Sequence, residues 1–438
     1  MTTTTALLTD HYELTMVQAA MGSGRAFRRS VFELFPRRLP EGRRYGVVAG
    51  VGRMLDAIEA FRFDDETLGF LAEKKVVNDE TAHWLSSYRF SGDVWGYPEG
   101  EMYFPHSPLL QVEGSFAEAC ILETVLLSIY NYDSAIASAA SRMTLMADGR
   151  PCIEMGSRRT HEWAGVAAAR AAYVAGFAST SNLEAGRRYG VPTAGTAAHS
   201  FTLLHDSESD AFRAQIASLG EATTLLVDTY DIHEAVKLGV ELTGGRLGAI
   251  RLDSGDLAEL AVDVRGLLDS LGATKTRIVV TSDLDEYQIA ALRGAPVDGY
   301  GVGTSLVTGS GHPTCAFVYK LVARASGDEA DAPMVPVEKL SLNKATVGGR
   351  KTALRRLDEQ GRAEAEVVGV GVPSDGDHND RPLLVPLITA GEVVGREPLE
   401  AARDRHAAAR AELPRNARKM SKGEPAIPTV MLGEEGPR

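Results

Sequence analysis

A chain of 438 residues, 44% hydrophobic and 24% charged, has the balance of an ordinary globular protein with room for two or three domains. Its formal net charge of -13 argues against general binding to nucleic acid or to an anionic membrane, so an anionic substrate needs a local nest of arginine, lysine and backbone N–H groups. Three widely separated cysteines, Cys120, Cys152 and Cys315, argue against a disulfide framework and a CxxC metal site, and read as small buried hydrophobes in a reducing compartment.

The N-terminal "MTTTTALLTDHYELTM" lacks the basic start and long apolar stretch of a signal peptide, and no apolar run approaches the ~20 residues that span a bilayer, so a cytoplasmic location is expected. "TDHYELTMVQAAMGSG" predicts a helix: Thr9 caps it, Leu14, Val17 and Met21 share one face, and Gly22 and Gly24 end it. "RSVFELFPRRLP" alternates like a strand, and "GVGRMLDAIEAFRF" has helical spacing. "SGDVWGYPEGEMYFPHSPLLQVEG", rich in glycine, proline and aromatics, fits short antiparallel strands with tight turns. "FAEACILETVLLSIYNYDSAIASAASRMTLMA" reads as one long helical stretch.

From about residue 150 the pattern changes. Short apolar runs, "PCIEMGSRR", "VPTAGTAAHSF", "TTLLVDTYD", "LGAIRLDSGD", "RIVVTSDLDE" and "VDGYGVGTSL", alternate with helical stretches. This is a βα repeat and implies a parallel sheet. Polar residues gather at the C-terminal ends of these runs. A barrel brings all such ends to one face, whereas an open doubly wound sheet gathers ligands at one crevice. The expected fold is therefore α/β, an irregular TIM-like βα barrel. The tail "PVEKLSLNKATVGGRKTALRRLDEQGRAEAEVVGVG" has the β-type character of the first third, and "AARDRHAAARAELP" reads as a basic amphipathic helix. The two chain ends are expected to form a second α+β domain, residues 1–115 with 336–438, that embraces a barrel of residues 116–335.

The chemistry-bearing stretches each have a bland reading beside the functional one. "GVPTAGTAAHSF" sets one titratable ring, His199, among small residues; taken alone, a core histidine and a functional one fit equally. "GYGVGTSL" carries Gly301, Gly303 and Thr304. Glycines let backbone N–H groups close on a phosphate, and a late place in a βα series favours that over a plain turn. "IRLDSGD" puts Arg251 and Asp253 on one strand face. Arg251 suits a phosphate or an aromatic acid, and Asp253 a ribose hydroxyl or a magnesium ion; an internal ion pair is the rival. Asp256 and Asp231 read as helix caps, with Asp228 in "LLVDTYD" the functional candidate. Asp283 either lines the site or caps a helix. "EMGSRRTHEW" presents Arg158 and Arg159, an arginine fork suited to a carboxylate, one of the two being plain surface charge.

Seven motifs in order, "TDHYELTM", "EMGSRR", "GTAAHSF", "VDTYD", "IRLDSGD", "GVGTSL" and "EKLSLNKATVGGRK", resemble those of the nicotinate phosphoribosyltransferase family, from about Asp10 to Lys351. The resemblance implies an irregular α/β barrel joined to a domain from both chain ends. It implies that nicotinate and phosphoribosyl pyrophosphate give nicotinate mononucleotide and diphosphate, coupled to ATP hydrolysis with magnesium. It makes His199 a residue phosphorylated by ATP during turnover, and an imidazole nitrogen is a competent phosphoryl acceptor. Tyr12, reaching in from a partner subunit of a homodimer, then stacks on the pyridine ring with Asp10 beside it. Met155 stands where the family has a Phe forming the other ring wall, and a thioether can still pack on an aromatic face. Arg158 faces the pyridine substituent. Gly303 and Thr304 hold the 5′-phosphate; Arg251, Asp228 and Asp253 position ribose, magnesium and diphosphate. Lys339 and Lys344 neutralise phosphates, and Gly348 replaces the family's usual proline in the following turn.

The related nicotinamide enzyme has an Asp near the substrate amide; Ser181 takes that place here, which favours a carboxylate substrate. A quinolinate phosphoribosyltransferase is the nearest rival, with no use for the histidine of GTxAH. A non-catalytic phosphosugar-binding barrel is a rival of another class. An isomerase barrel needs a general base poised over a carbonyl carbon, and the sequence offers no clear one.

Overall fold

The computed structural model describes residues 4–329, 331–339, 347–374 and 376–433. The chain divides into two units, one of residues 136–313 and one of residues 1–135 with 314–438. The division falls inside the helix Glu123–Ala147.

The unit 136–313 is built on six short strands: β1 (Cys152–Glu154), β2 (Ser179–Thr180), β3 (Thr224–Leu226), β4 (Ala249–Leu252), β5 (Arg277–Val280) and β6 (Gly299–Val302). All pair in parallel, in the order β2-β1-β6-β5-β4-β3. The first strand of the series thus lies beside the last, as in a closed barrel. A single parallel bridge, Thr180↔Thr193, continues the ladder past β2. No ladder joins Thr193 to β3 among the described residues, so the hydrogen-bonded sheet is curled and open at one seam. The strand-like run expected at "VPTAGTAAHSF" accounts for that seam. One glycine and three alanines between Thr193 and His199 offer little β-forming side-chain surface, and apart from the Thr193 bridge the segment is loop until the helix that begins at His199.

The strands follow from their sequences. "TLL", "AIRL" and "RIVV" are short apolar runs, as expected where helices cover a parallel sheet. The helix Ile232–Leu242 buries Ala235, Val236, Gly239 and Val240 on one face, and a Cβ on Gly239 would stand 3.0 Å from Leu225 of β3. Aspartates start the helices as anticipated: Asp231 accepts from the Glu234 N–H, and Asp256 from the Ala258 and Glu259 N–H groups. After β5 the cap is Asp285, which accepts from the Tyr287 and Gln288 N–H groups, so capping does not use Asp283.

The other unit holds a seven-stranded sheet of antiparallel pairs. Arg29–Phe35 pairs with Val318–Ala325, and Asp93–Gly96 with Val385–Thr389, so both ends of the chain supply strands. Val318–Ala325 therefore belongs here and not to the parallel sheet. Arg29–Phe35 is buried at every residue after the first, because this strand has a neighbour on each side and is covered on both faces; the expected alternation of exposure is absent. The expected long helix from Phe116 is two: Phe116–Cys120, opened by a Ser115/Glu118 capping box, and Glu123–Ala147. At the N-terminus Asp10, not Thr9, occupies the cap position of His11–Gly22; the Thr9 hydroxyl instead donates to Glu13 and to the Ile121 carbonyl. All three cysteines are buried and free. No helix among the described residues is long and apolar enough to cross a membrane.

Candidate active site

At the C-terminal edge of the parallel sheet, the ends of two neighbouring strands face one imidazole. His199 is the first residue of a short helix, His199–Leu204, that follows the loop after Thr193. Its Nδ1 lies 3.1 Å from the Thr229 hydroxyl. Its Nε2 faces two carboxylates, Asp228 Oδ1 at 3.8 Å and Asp253 Oδ2 at 3.9 Å.

Asp228, just beyond β3, has a side chain only 2% exposed. Its Oδ2 accepts from the Asp253 N–H at 2.9 Å and the Ser254 hydroxyl at 2.8 Å. Its Oδ1 is buried without a hydrogen-bond partner. A buried carboxylate oxygen left unpaired costs free energy unless something outside the chain meets it. Asp253, just beyond β4, accepts from the Thr281 hydroxyl at the end of β5.

Arg251 points from β4 to the loop that delivers His199. Its guanidinium donates to the Thr196 hydroxyl at 3.0 Å and to the Ala197 carbonyl at 3.1 Å, while its Nε is buried without a partner. Burial pushes its pKa down; Asp253 and Asp228 oppose that, and the Arg158 charge adds to it. An arginine remains a cation throughout. Arg251 thus has a holding role the sequence did not reveal, as a clasp on the GTAAH loop.

The rest of the edge is closely packed glycine and sulfur. A Cβ on Gly301 would meet Thr281 Cγ2 at 2.5 Å and Met155 Sδ at 2.8 Å. Gly301 is therefore required by the packing of Met155 over the strand end. A Cβ on Gly303 would stand in ordinary contact with the Met155 carbonyl oxygen, at 3.5 Å, and Gly303 precedes the short helix Thr304–Val307. Ser282, at φ +137°, holds a backbone conformation that side chains rarely adopt, and with Gly255, Asp256 and Asp283 it lines a cleft of about 460 Å³. Such strain is concentrated at functional loops. Arg158 and Arg159 lie in the turn Ser157–Arg159 and are both exposed, and Ser181 is exposed just past β2.

A family profile described as the nicotinate phosphoribosyltransferase (NAPRTase) N-terminal domain matches residues 7–131. Nicotinate phosphoribosyltransferase pncB1 of Mycobacterium tuberculosis is 56% identical over 432 residues, covering 97% of this chain and 94% of that protein. The chain belongs to the nicotinate phosphoribosyltransferase family. Nicotinate phosphoribosyltransferase of Bacillus subtilis is 37% identical over 366 residues, covering 81% of this chain and 74% of its own. The crystal structure of human nicotinic acid phosphoribosyltransferase matches with a TM-score of 0.83 at 27% identity, over 97% of each chain.

The family motifs thus fall on identifiable structure. In the unit 136–313, His199, Asp228, Arg251 and Asp253 come together directly, and Met155 and Gly301 touch one another. Asp10 and Tyr12 belong to the other unit, at the start of the helix His11–Gly22; Tyr12 is 44% exposed, and burial with Glu123, Glu13 and Asp10 nearby raises its hydroxyl pKa. Lys339 also belongs to that unit, and Lys344 lies outside the described residues. Sequence reasoning passed over Thr229, Thr281 and Thr196, each a hydroxyl bonded to one member of the site, His199, Asp253 and Arg251 in turn. Their one signal is adjacency, since Thr229 follows Asp228 in "VDTYD" and Thr281 ends the run "RIVVT".

Proposed function

We propose that this protein is an ATP-coupled nicotinate phosphoribosyltransferase of NAD salvage. It joins nicotinate to phosphoribosyl pyrophosphate, giving nicotinate mononucleotide and diphosphate, while ATP and water give ADP and phosphate. The observation that carries the reading is the setting of His199. With Nδ1–H donating to Thr229, Nε2 holds a lone pair. That nitrogen attacks the terminal phosphorus of ATP, the N–P bond forms as ADP leaves, and water later returns the ring and free phosphate. His199 couples energy to turnover and does not attack the sugar.

Two carboxylates face Nε2, and they repel an incoming polyphosphate. The unpaired Asp228 Oδ1 and the half-exposed Asp253 are hard oxygen donors that fit a magnesium ion. Magnesium held there supplies neutralising charge for diphosphate. The sugar transfer needs positioning above all, because the pyridine nitrogen is itself the nucleophile and the ribose C1 develops oxocarbenium character. Gly303 and Thr304 take the 5′-phosphate, with Gly301 fixing the strand end below them. Met155 packs on the pyridine ring, Arg158 pairs with its carboxylate, and Ser181 adds no negative charge to repel it. Lys339 neutralises phosphate. The enzyme acts as a cytoplasmic homodimer in which the partner subunit's Tyr12 stacks on the ring and the partner subunit's Asp10 lies beside it. The parallel unit serves as an irregular barrel for the chemistry.

Purified protein incubated with nicotinate, phosphoribosyl pyrophosphate and magnesium tests this, with and without ATP. Nicotinate mononucleotide that rises strongly with ATP, alongside ADP, is expected. Equal turnover of nicotinamide or quinolinate, or no response to ATP, overturns it.

A further inference from the structure

Glu154, the last residue of β1, is a fully buried carboxylate with no part in the chemistry above. One of its oxygens, Oε1, accepts from the Gly156 N–H, at the head of the turn that carries Arg158. The other, Oε2, accepts from the Thr180 hydroxyl on the neighbouring strand β2. Thr180 Oγ1 also accepts from the Asn182 N–H at 2.9 Å, so the connection runs on into the turn that carries Ser181. A second tie joins the same turns: Asn182 Nδ2 donates to Ser157 Oγ at 2.9 Å, while Asn182 Oδ1 accepts from the Ala185 N–H and caps the next helix. On its other side the Arg158 turn packs closely on the helix Thr304–Val307, because a Cβ on Gly156 would stand 2.3 Å from Val307 Cγ1.

We propose that Glu154, acting through Thr180, is a positioning residue that fixes the separation of the Arg158 turn and the Ser181 turn, and so sets the fit of the pyridine carboxylate. The carboxylate part rests on the function proposed above; the tie between the turns does not. Burial pushes the Glu154 carboxyl above its ordinary pKa. The tie survives protonation, because a hydroxyl both donates and accepts.

Thr180→Val removes the hydroxyl and keeps the volume. It leaves both a buried carboxylate oxygen and the Asn182 N–H without their partner. The expected result is a rise of about tenfold in the nicotinate KM, the scale of one buried polar group left unpaired, with the KM for phosphoribosyl pyrophosphate unchanged. Amide hydrogen exchange is expected to quicken together in residues 155–160 and 179–184. Thr180→Ser, which restores the hydroxyl, returns both readouts toward wild type. Exchange that quickens only in 179–184, or a parallel rise in both KM values, overturns the positioning role. Failure of the wild-type protein to use nicotinate sinks the substrate reading alone, and the exchange experiment then still decides whether the tie exists.

Discussion

Two histidines show how differently the two units use charge. His406, on the helix Leu399–Glu412, is 1% exposed, and burial beside Arg410 and Arg403 pushes its pKa down to about 3. The His199 side chain, at the edge of the parallel sheet, is 41% exposed. The carboxylates around them differ in the same sense. In the unit built from both chain ends, the fully buried Arg355 lies 2.8 Å from Glu366 and 3.8 Å from Glu101. Glu366 also accepts from Tyr97 at 2.9 Å and from Ser107, and Glu101 pairs with Arg381 as well. Every carboxylate of that cluster meets a cation. Asp228, equally buried, meets none within hydrogen-bond reach and keeps one oxygen unpaired beside His199. Paired buried charge holds a fold, whereas unpaired buried charge at loop ends is held ready for a ligand.

That contrast can be broken experimentally. His199→Ala is expected to abolish ADP release and to lower ATP-coupled turnover on the order of 10³-fold or more, as removal of one member of a cooperating catalytic set does, with the melting temperature kept. Radiolabelled ATP and a thermal melt read the two halves of that statement. Arg355→Ala is expected to do the reverse. It leaves Glu366 and Glu101 buried without their shared cation, a cost of about 3–5 kcal/mol, measurable by urea denaturation, while protein that still folds retains ATP coupling. Loss of stability in the His199 variant equal to that in the Arg355 variant would erase the distinction.

Gly301→Ala gives a smaller effect and tests the packing at the sheet edge. Its Cβ must displace Thr281 or Met155, at about 1–3 kcal/mol for an overpacked site. Met155→Ala in the same chain is expected to restore only part of the melting temperature, because it removes the sulfur but leaves Thr281 Cγ2, at 2.5 Å the nearer obstacle.

The smallest effect is the pH dependence of His406. Its folded pKa lies below the ordinary value near 6.5, so its contribution to stability is present above that value and is lost as pH falls toward 3. Between pH 6.5 and pH 5 the loss is expected to approach about 1.4 kcal/mol per pH unit. Denaturation curves for His406→Leu at pH 7 and pH 5 are expected to show a flatter acid limb than wild type.

Much of this was legible in the sequence because it is local. The βα repeat from residue 150 follows from the alternation of short apolar runs with helical stretches, and Asp231 and Asp256 cap helices because a short acidic side chain reaches the next N–H groups of its own chain. The motif resemblance singled out His199, Asp228, Arg251 and Asp253, and the structure brings these four together. What sequence could not supply depends on neighbours distant along the chain. Arg29–Phe35 alternates in its letters, yet it is buried on both faces because strands from residues 110 and 318 flank it. The seam in the parallel sheet arises where small residues leave the GTAAH loop unpaired, and Arg251, 55 residues away from Thr196, clasps that loop. Glu154 and Thr180 are unremarkable as letters. Only the pairing of β1 with β2 sets one against the other, because nothing in either strand's own letters names the neighbour it pairs with.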